Sequence, residues 1–186
     1  MKSLKELADS HVGYTEGPNN DTSFGKWFGL NNQPWCAMAV SKIYHEAGLI
    51  STVAPKSKPK GFASCDEWLK YLTKNNQLVP IGQAQRGDLV FFQFDDDAQP
   101  DHVGIVRGHN TTLKYLNVWE GNTSGNASGS QSNGDGFYIK KRPYKTIMAI
   151  ARPTKEQNGK DNTSTDSQDL PESSSSSGGG PLHRRL

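Results

Sequence analysis

The sequence predicts an α+β domain in which helices from the first half of the chain pack on a mainly antiparallel sheet from the second half. Three segments before residue 76 carry apolar residues at helical spacing, and from residue 87 the apolar residues alternate with a period of two. Helices followed by a run of strands favour this arrangement over alternating β-α-β units. We expect a sheet of five to six strands with the N-terminal helices packed against it.

The first and last helical segments are SLKELADSHVG at 3–13 and SCDEWLKYLTKN at 64–75. Ser64 suits the N-cap position of the later helix, and Glu67, three residues on, completes a predicted capping box. The stretch 14–34 is rich in Gly, Pro and Asn and is predicted to form turns. One further helix is therefore expected, beginning near its end.

This central helix begins with the motif PWCAMAV. One of its faces carries residues spaced i, i+4, i+7 and i+11, namely Cys36, Val40, Ile43 and Ala47. Pro34 suits the first turn of a helix, and Gly48 suits a C-terminal cap. Cys36 is therefore predicted to lie in the first turn and to point the same way as the buried face.

Five strands are predicted from the alternating segments GDLVFFQF (87–94), DHVGIVRG (101–108), LKYLNVWE (113–120), GFYIKKR (136–142) and TIMAIARP (146–153). A hairpin turn centred on Thr111 would join the second strand to the third. In that register Val106 lies opposite Leu116. His102 then lies opposite Glu120, and directly opposed residues have Cβ atoms about 4.5–5.5 Å apart. A slip by one residue would send Glu120 to the other face of the sheet.

Composition divides the chain into a domain over 1–153 and a flexible polar tail over 154–186, where serine and glycine runs replace apolar residues. The formal net charge of +2, from 21 basic and 19 acidic residues, gives no basis for nucleic-acid binding. The short basic run KKRPYK (140–145) is expected to be solvated. No segment has the apolar length of a signal peptide or a membrane span, so we expect synthesis in the cytoplasm and no membrane insertion.

Cys36 has two interpretations from its position alone, an inert buried thiol or a nucleophile. A helix N-terminus favours the thiolate form, and a neighbouring imidazolium lowers the pKa of a thiol further. Of the five histidines, His102 is the best placed to act as the base, since Glu120 is predicted to face it and to fix its orientation. Cys65 is predicted to be structural. A Cys36–Cys65 disulfide, which would abolish activity, is the alternative.

Four motifs in this order resemble the CHAP domain: PWCAMAV (34–40), GDLVFF (87–92), DHVGIV (101–106) and WEGNTSG (119–125). CHAP domains are cysteine- and histidine-dependent amidohydrolases or peptidases with a papain-like fold, and they are related to the NlpC/P60 proteins. The resemblance implies that Cys36 is the nucleophile and that His102 acts first as general base and then as general acid. It implies that Glu120 orients the histidine and that Asn122 is a fourth polar member of the site.

The resemblance also implies a substrate, bacterial peptidoglycan. The chain would cut either the N-acetylmuramoyl–L-alanine bond, as an amidase, or a peptide bond of the stem or cross-bridge, as an endopeptidase. A bacteriophage endolysin is expected, made in the host cytoplasm and released to the wall through a holin. We expect a monomer, with a wall-binding module beyond the linker. The alternatives are a non-catalytic wall-binding module and a papain-like peptidase that acts on a protein.

Three further residues lie next to the proposed site in sequence and are candidates for substrate contact: Trp35, Trp119 and Gln33. Core packing is the alternative for the two tryptophans, and Gln33 is also a candidate for the oxyanion hole. We predict no metal or other cofactor. Calcium is the alternative, because some CHAP domains carry an Asp-rich loop just before the cysteine, but here that region has only Asp21. The spacing of the cysteine, histidine and glutamate does not favour zinc.

Overall fold

The computed structural model describes residues 1–155, in which α-helices pack on a six-stranded antiparallel sheet. The helices are α1 (Leu4–His11), α2 (Ser23–Phe28), α3 (Cys36–Glu46) and α4 (Cys65–Lys74). The strands are β1 (Leu78–Val79), β2 (Leu89–Phe92), β3 (His102–Asn110), β4 (Tyr115–Thr123), β5 (Gly136–Pro143) and β6 (Ile147–Ala151). The predicted α+β class is confirmed. From residue 156 the predicted tail lies outside the described residues.

The sheet has the order β1-β6-β2-β3-β4-β5, and each neighbouring pair is antiparallel. Strands β3, β4 and β5 are joined in sequence and lie side by side. Strands that follow one another along the chain commonly pair in this way, because the loss of chain entropy grows only slowly with the length of the loop between them. This end of the sheet therefore brings together side chains from three successive strands.

Two short elements of the structure were not predicted from the sequence. Strand β1 has two residues, too few to show a period. Helix α2 has six residues, and it lies in the stretch predicted to form turns. Its N-cap is Thr22, whose hydroxyl accepts a hydrogen bond from the Gly25 N–H at 2.8 Å. Gly29, with φ of 91°, ends it in the left-handed conformation that glycine adopts readily.

Half of the capping box predicted for α4 is present. The Ser64 hydroxyl accepts a hydrogen bond from the Glu67 N–H at 3.2 Å. The Glu67 carboxylate does not reach back to Ser64. It lies instead 3.8 Å from Lys58 Nζ on the preceding loop. The Ser64 hydrogen bond caps the helix, which begins at Cys65.

Helix α3 is the most deeply buried helix of the described chain and packs on β3 and β4. Its apolar face joins the larger core with aromatic residues from α2, α4 and the sheet. A smaller core on the other side of the sheet contains Val90, Phe92, Val106 and Val118. The sheet centre is therefore buried on both faces. No helix within residues 1–155 combines the length and apolar character needed to cross a membrane.

The predicted register between β3 and β4 was wrong by two residues. Val106 pairs with Val118 rather than Leu116, because the turn spans four residues and a bulge follows between Val106 and Gly108. A shift by two keeps every side chain on its predicted face. Continued toward the start of β3, the observed register places Glu120 opposite Gly104, so that His102 and Glu120 share a face but are diagonal neighbours.

Gly104 leaves the space that Glu120 occupies. A Cβ atom there would lie 2.5 Å from Val118 Cγ1 and 2.9 Å from Glu120 Cγ. We expect Gly104→Ala to lower the free energy of unfolding by about 1–3 kcal/mol through overpacking, measured by urea titration. Gly108→Ala, on the same strand, is the control, since its Cβ would meet only Asn117 Nδ2 at 3.9 Å. Equal losses in the two variants would contradict crowding as the cause.

Candidate active site

Cys36 is the first residue of α3 and only 5% exposed. The N-cap residue, Trp35, makes no side-chain hydrogen bond to the helix. The first N–H groups of a helix have no partner inside it, and they carry about half a positive charge between them. The sulfur therefore lies in the predicted first turn of the helix, at an end whose N–H donors are not taken by the side chain of Trp35.

The imidazole of His102 begins β3 and is completely buried. Its Nε2 atom lies 3.0 Å from Glu120 Oε2, so the predicted histidine–glutamate pair is present in the structure. Its Nδ1 atom is also buried and has no hydrogen-bond partner among the described residues. The rings of Phe92 and Phe94 lie against it, with centroids 5.9 and 6.1 Å away. Nδ1 is thus the nitrogen left free to exchange a proton with Cys36.

Glu120 has a second hydrogen-bond partner, which was not predicted from the sequence. Arg142, on β5, donates from Nε to Glu120 Oε1 at 2.8 Å and from Nη2 to Oε2 at 2.6 Å. The guanidinium is almost fully buried and lies over the rings of Phe92 and Phe94. A bidentate pair of this kind holds the carboxylate in one orientation and stabilises its ionised form. Arg142 lies within the run 140–145, which was expected to be solvated, and for this residue that expectation was wrong.

The two partners keep Glu120 ionised. Burial alone would raise the pKa of a carboxyl group, but the hydrogen bonds and charges of Arg142 and His102 lower the pKa of Glu120 below its ordinary value. Burial would likewise lower the pKa of His102. The nearby Cys36 thiol, together with the hydrogen bond and charge of Glu120, outweighs it and raises the pKa of His102 to about 9. At neutral pH the imidazole is therefore protonated.

The Cys36 thiol has the complementary shift. The hydrogen bond with Cys65, together with the proximity and positive charge of His102, holds the pKa of Cys36 well below its ordinary value against the effect of burial. The Cys65 sulfur lies 3.6 Å from the Cys36 sulfur, and both cysteines are free. The hydrogen bond and charge of Cys36, together with burial, raise the pKa of Cys65 well above its ordinary value. These shifts favour a thiolate at Cys36, an imidazolium at His102 and a protonated thiol at Cys65.

The described residues combine a cysteine at a helix start, a histidine on a strand and a glutamate on the next strand. The sequence profile of the NlpC/P60 family matches residues 26–148, well over half of the chain, and the match includes all three. The chain belongs to the NlpC/P60 family. Members of this family are cysteine peptidases that hydrolyse the peptidoglycan of the cell wall. A comparison with curated protein sequences found no match.

The two tryptophans proposed for substrate contact are fully buried in this NlpC/P60 domain. The Trp35 indole N–H donates to Glu16 at 2.6 Å, and its ring stacks on Phe24. The Trp119 indole N–H donates to Asp9 at 2.9 Å. These contacts are those of core residues, and contact with substrate stays a prediction for both. Gln33 is exposed in the loop before α3, and its contribution to the oxyanion site also stays a prediction.

Asn122 lies two residues beyond Glu120, in the left-handed conformation with φ of 56°. Its amide nitrogen donates to the Ser132 carbonyl at 3.2 Å, and its buried Oδ1 has no hydrogen-bond partner within the described part of the chain. The side chain therefore holds the loop after β4. None of its hydrogen bonds reaches Cys36 or His102, and its role as a fourth member of the site stays a prediction.

One group of possible metal ligands occurs among residues 1–155, and it is not where calcium was considered. Asp95, Asp97 and Asp101, in the loop between β2 and β3, have ligand atoms within 4.8 Å of one another. Their carboxylates already accept hydrogen bonds from backbone N–H groups of the same loop. Asp21, in the region where calcium was considered, is paired with Lys26 at 2.8 Å and Asn31 at 2.6 Å.

The thiolate–imidazolium pair predicts an unusual pH profile of alkylation. The rate of Cys36 modification by iodoacetamide should change by less than about threefold between pH ~6 and pH ~8, whereas an ordinary thiol changes by roughly 50- to 100-fold. Peptide mapping by mass spectrometry separates Cys36 from Cys65, which should not react at the lower pH. In His102→Ala the profile should become clearly steeper, because the positive charge beside Cys36 is removed while the Cys65 hydrogen bond remains. A native profile as steep as that of the variant would contradict the pair.

Arg142 is predicted to position Glu120. In Arg142→Met the buried carboxylate loses its permanent cation, so the free energy of unfolding should fall by about 3–5 kcal/mol, measured by urea titration. The pH profile of Cys36 alkylation should also move toward that of an ordinary thiol, because Glu120 would then compete for the proton of His102.

The matched control is Arg152→Met. Arg152 pairs with the buried Asp88 at 2.9 Å, and within residues 1–155 no hydrogen bond joins that pair to Cys36, His102 or Glu120. This variant should lose stability without any change in the alkylation profile. The same profile in both arginine variants would mean that Arg142 acts on the fold alone.

Proposed function

We propose that this NlpC/P60 domain hydrolyses an amide bond of bacterial peptidoglycan through a covalent intermediate on Cys36. The observation that supports it is the connected set formed by Cys36, His102, Glu120 and Arg142 at the N-terminus of α3. A thiol that is ionised at neutral pH and lies beside a proton donor can both attack a carbonyl carbon and protonate the departing amine. A binding module would need neither property.

In the first half of the reaction the Cys36 thiolate attacks the amide carbonyl carbon. The negative charge moves to the carbonyl oxygen, which the N–H groups at the start of α3 can stabilise. As the C–N bond breaks, His102 gives the Nδ1 proton to the nitrogen, and the amine leaves. The acyl group remains on Cys36 as a thioester, and the imidazole is neutral.

In the second half the neutral His102 takes a proton from a water molecule as the water attacks the thioester carbon. The C–S bond breaks, a carboxylic acid is released, and the thiolate–imidazolium pair is restored. Glu120 does not change its protonation state in this cycle. It holds the imidazole ring in place through Nε2 and stabilises each imidazolium form.

Two classes of amide bond in peptidoglycan fit this chemistry. One joins N-acetylmuramic acid to L-alanine, and the other class joins amino acids of the stem or cross-bridge. We propose that the domain cuts one of these two classes, as an amidase or as an endopeptidase. The order of the four CHAP-like motifs supports a more specific assignment, to a CHAP domain. We propose that this domain is part of a bacteriophage endolysin, which reaches the wall after its release from the cytoplasm.

The test is mass spectrometry of purified peptidoglycan after digestion by the full chain. New fragments are expected, and a new amino group on L-alanine would identify the amidase, whereas new ends within the peptides would identify the endopeptidase. Cys36→Ala should release none of these fragments. Glu120→Gln should lower the rate by about 10²-fold or more, since it removes the charge that supports the imidazolium.

His45→Ala is the matched control, because His45 is an exposed histidine on α3 itself. This variant should digest the wall at the native rate. Fragments from Cys36→Ala at the native rate would contradict the mechanism. Binding of the wall without any new fragments, from several wall types, would favour the binding module. Digestion of casein without wall fragments would favour a protein-directed peptidase.

A further inference from the structure

We propose that Cys65 is a resolving thiol, which forms a reversible disulfide with Cys36 when a peroxide oxidises the site. The disulfide would remove the nucleophile and protect it from irreversible oxidation. The loss of activity rests on the proposed function of Cys36. The formation of the bond does not, because it depends only on the two thiols and their surroundings.

The geometry brings the two sulfur atoms together from separate helices. Cys36 is the first residue of α3 and Cys65 is the first residue of α4, and their Sγ atoms are 3.6 Å apart. A disulfide bond is about 2.05 Å long, so the sulfurs must approach by roughly 1.5 Å. Residues at the first turn of a helix can supply this through side-chain rotation and a small adjustment of the helix end.

The surroundings set the order of oxidation. Peroxides react with thiolates, and the helix end and His102 favour the thiolate of Cys36. Cys65 keeps its proton as long as it donates to that thiolate. Once Cys36 carries an uncharged sulfenic acid, the hydrogen bond and negative charge that raise the pKa of Cys65 are gone. Oxidation of the first sulfur therefore prepares the second sulfur to attack.

The chemical steps balance with hydrogen peroxide as the oxidant. The Cys36 thiolate attacks one oxygen, the O–O bond breaks, and Cys36 sulfenic acid and hydroxide are formed. The Cys65 sulfur then attacks the sulfenic sulfur and loses its proton, the S–O bond breaks, and water leaves. Two thiols have been oxidised to a disulfide and one peroxide reduced to water. A dithiol such as dithiothreitol reverses the bond by exchange and becomes oxidised itself.

The test uses the full chain, excess hydrogen peroxide, iodoacetamide to label remaining thiols, and intact-mass spectrometry. The native protein should lose the mass of two hydrogen atoms, take up no label, and recover its wall-digesting activity after dithiothreitol. Cys65→Ser should instead gain the mass of two or three oxygen atoms on Cys36 and stay inactive after dithiothreitol. For each protein the activity is expressed relative to its own value before oxidation.

Cys36→Ser completes the set of variants. In this variant Cys65 has no partner thiol, so iodoacetamide should still label it after the same peroxide exposure. Three results would overturn the proposal: oxygen atoms on Cys36 with Cys65 still open to the label, a disulfide between two molecules, or equal recovery of the native protein and Cys65→Ser. The mass change is read without wall digestion. An intramolecular disulfide in a protein that digests no wall would therefore support this proposal and contradict only the proposed function.

Discussion

The site depends on a buried carboxylate that has two cationic partners. Removing Glu120 from water is costly, and one partner that gains and loses a proton would not offset that cost throughout a reaction. Arg142 supplies a charge that does not titrate, through two hydrogen bonds of 2.8 and 2.6 Å. Glu120 can therefore stay ionised while His102 cycles between its two protonation states. The charge of Arg142 therefore stabilises the buried Glu120 in either protonation state of His102.

The sheet order makes that arrangement possible. His102, Glu120 and Arg142 come from β3, β4 and β5, which are neighbours in the sheet. Gly104 leaves room for the glutamate, and Phe92 and Phe94 lie against both the imidazole and the guanidinium. An apolar wall of this kind limits screening by water, so each ion pair is stronger than at the surface. Packing and electrostatics thus support each other at this edge of the domain.

Helix α3 connects this buried set to substrate chemistry. Its apolar face anchors it in the larger core, so the position of Cys36 is fixed by packing rather than by the catalytic groups themselves. The start of α4 meets it there and brings the second sulfur to within 3.6 Å. A site preorganised by core packing needs little rearrangement when charge develops on a bound carbonyl group. The same rigidity keeps the two thiols close enough to react with each other.

The sequence by itself determined the fold class, the face and start of α3, and the pairing of His102 with Glu120. Each of these follows from periodicity or from a short-range signal, and an even error in strand register left the histidine and glutamate on the same face. Only the tertiary structure decided the rest. Arg142 lies in a basic run that resembles a surface loop, and Cys65 lies 29 positions after Cys36 in the chain. Their roles depend on which strands and helices meet, and no local pattern records a contact between elements that are distant along the chain.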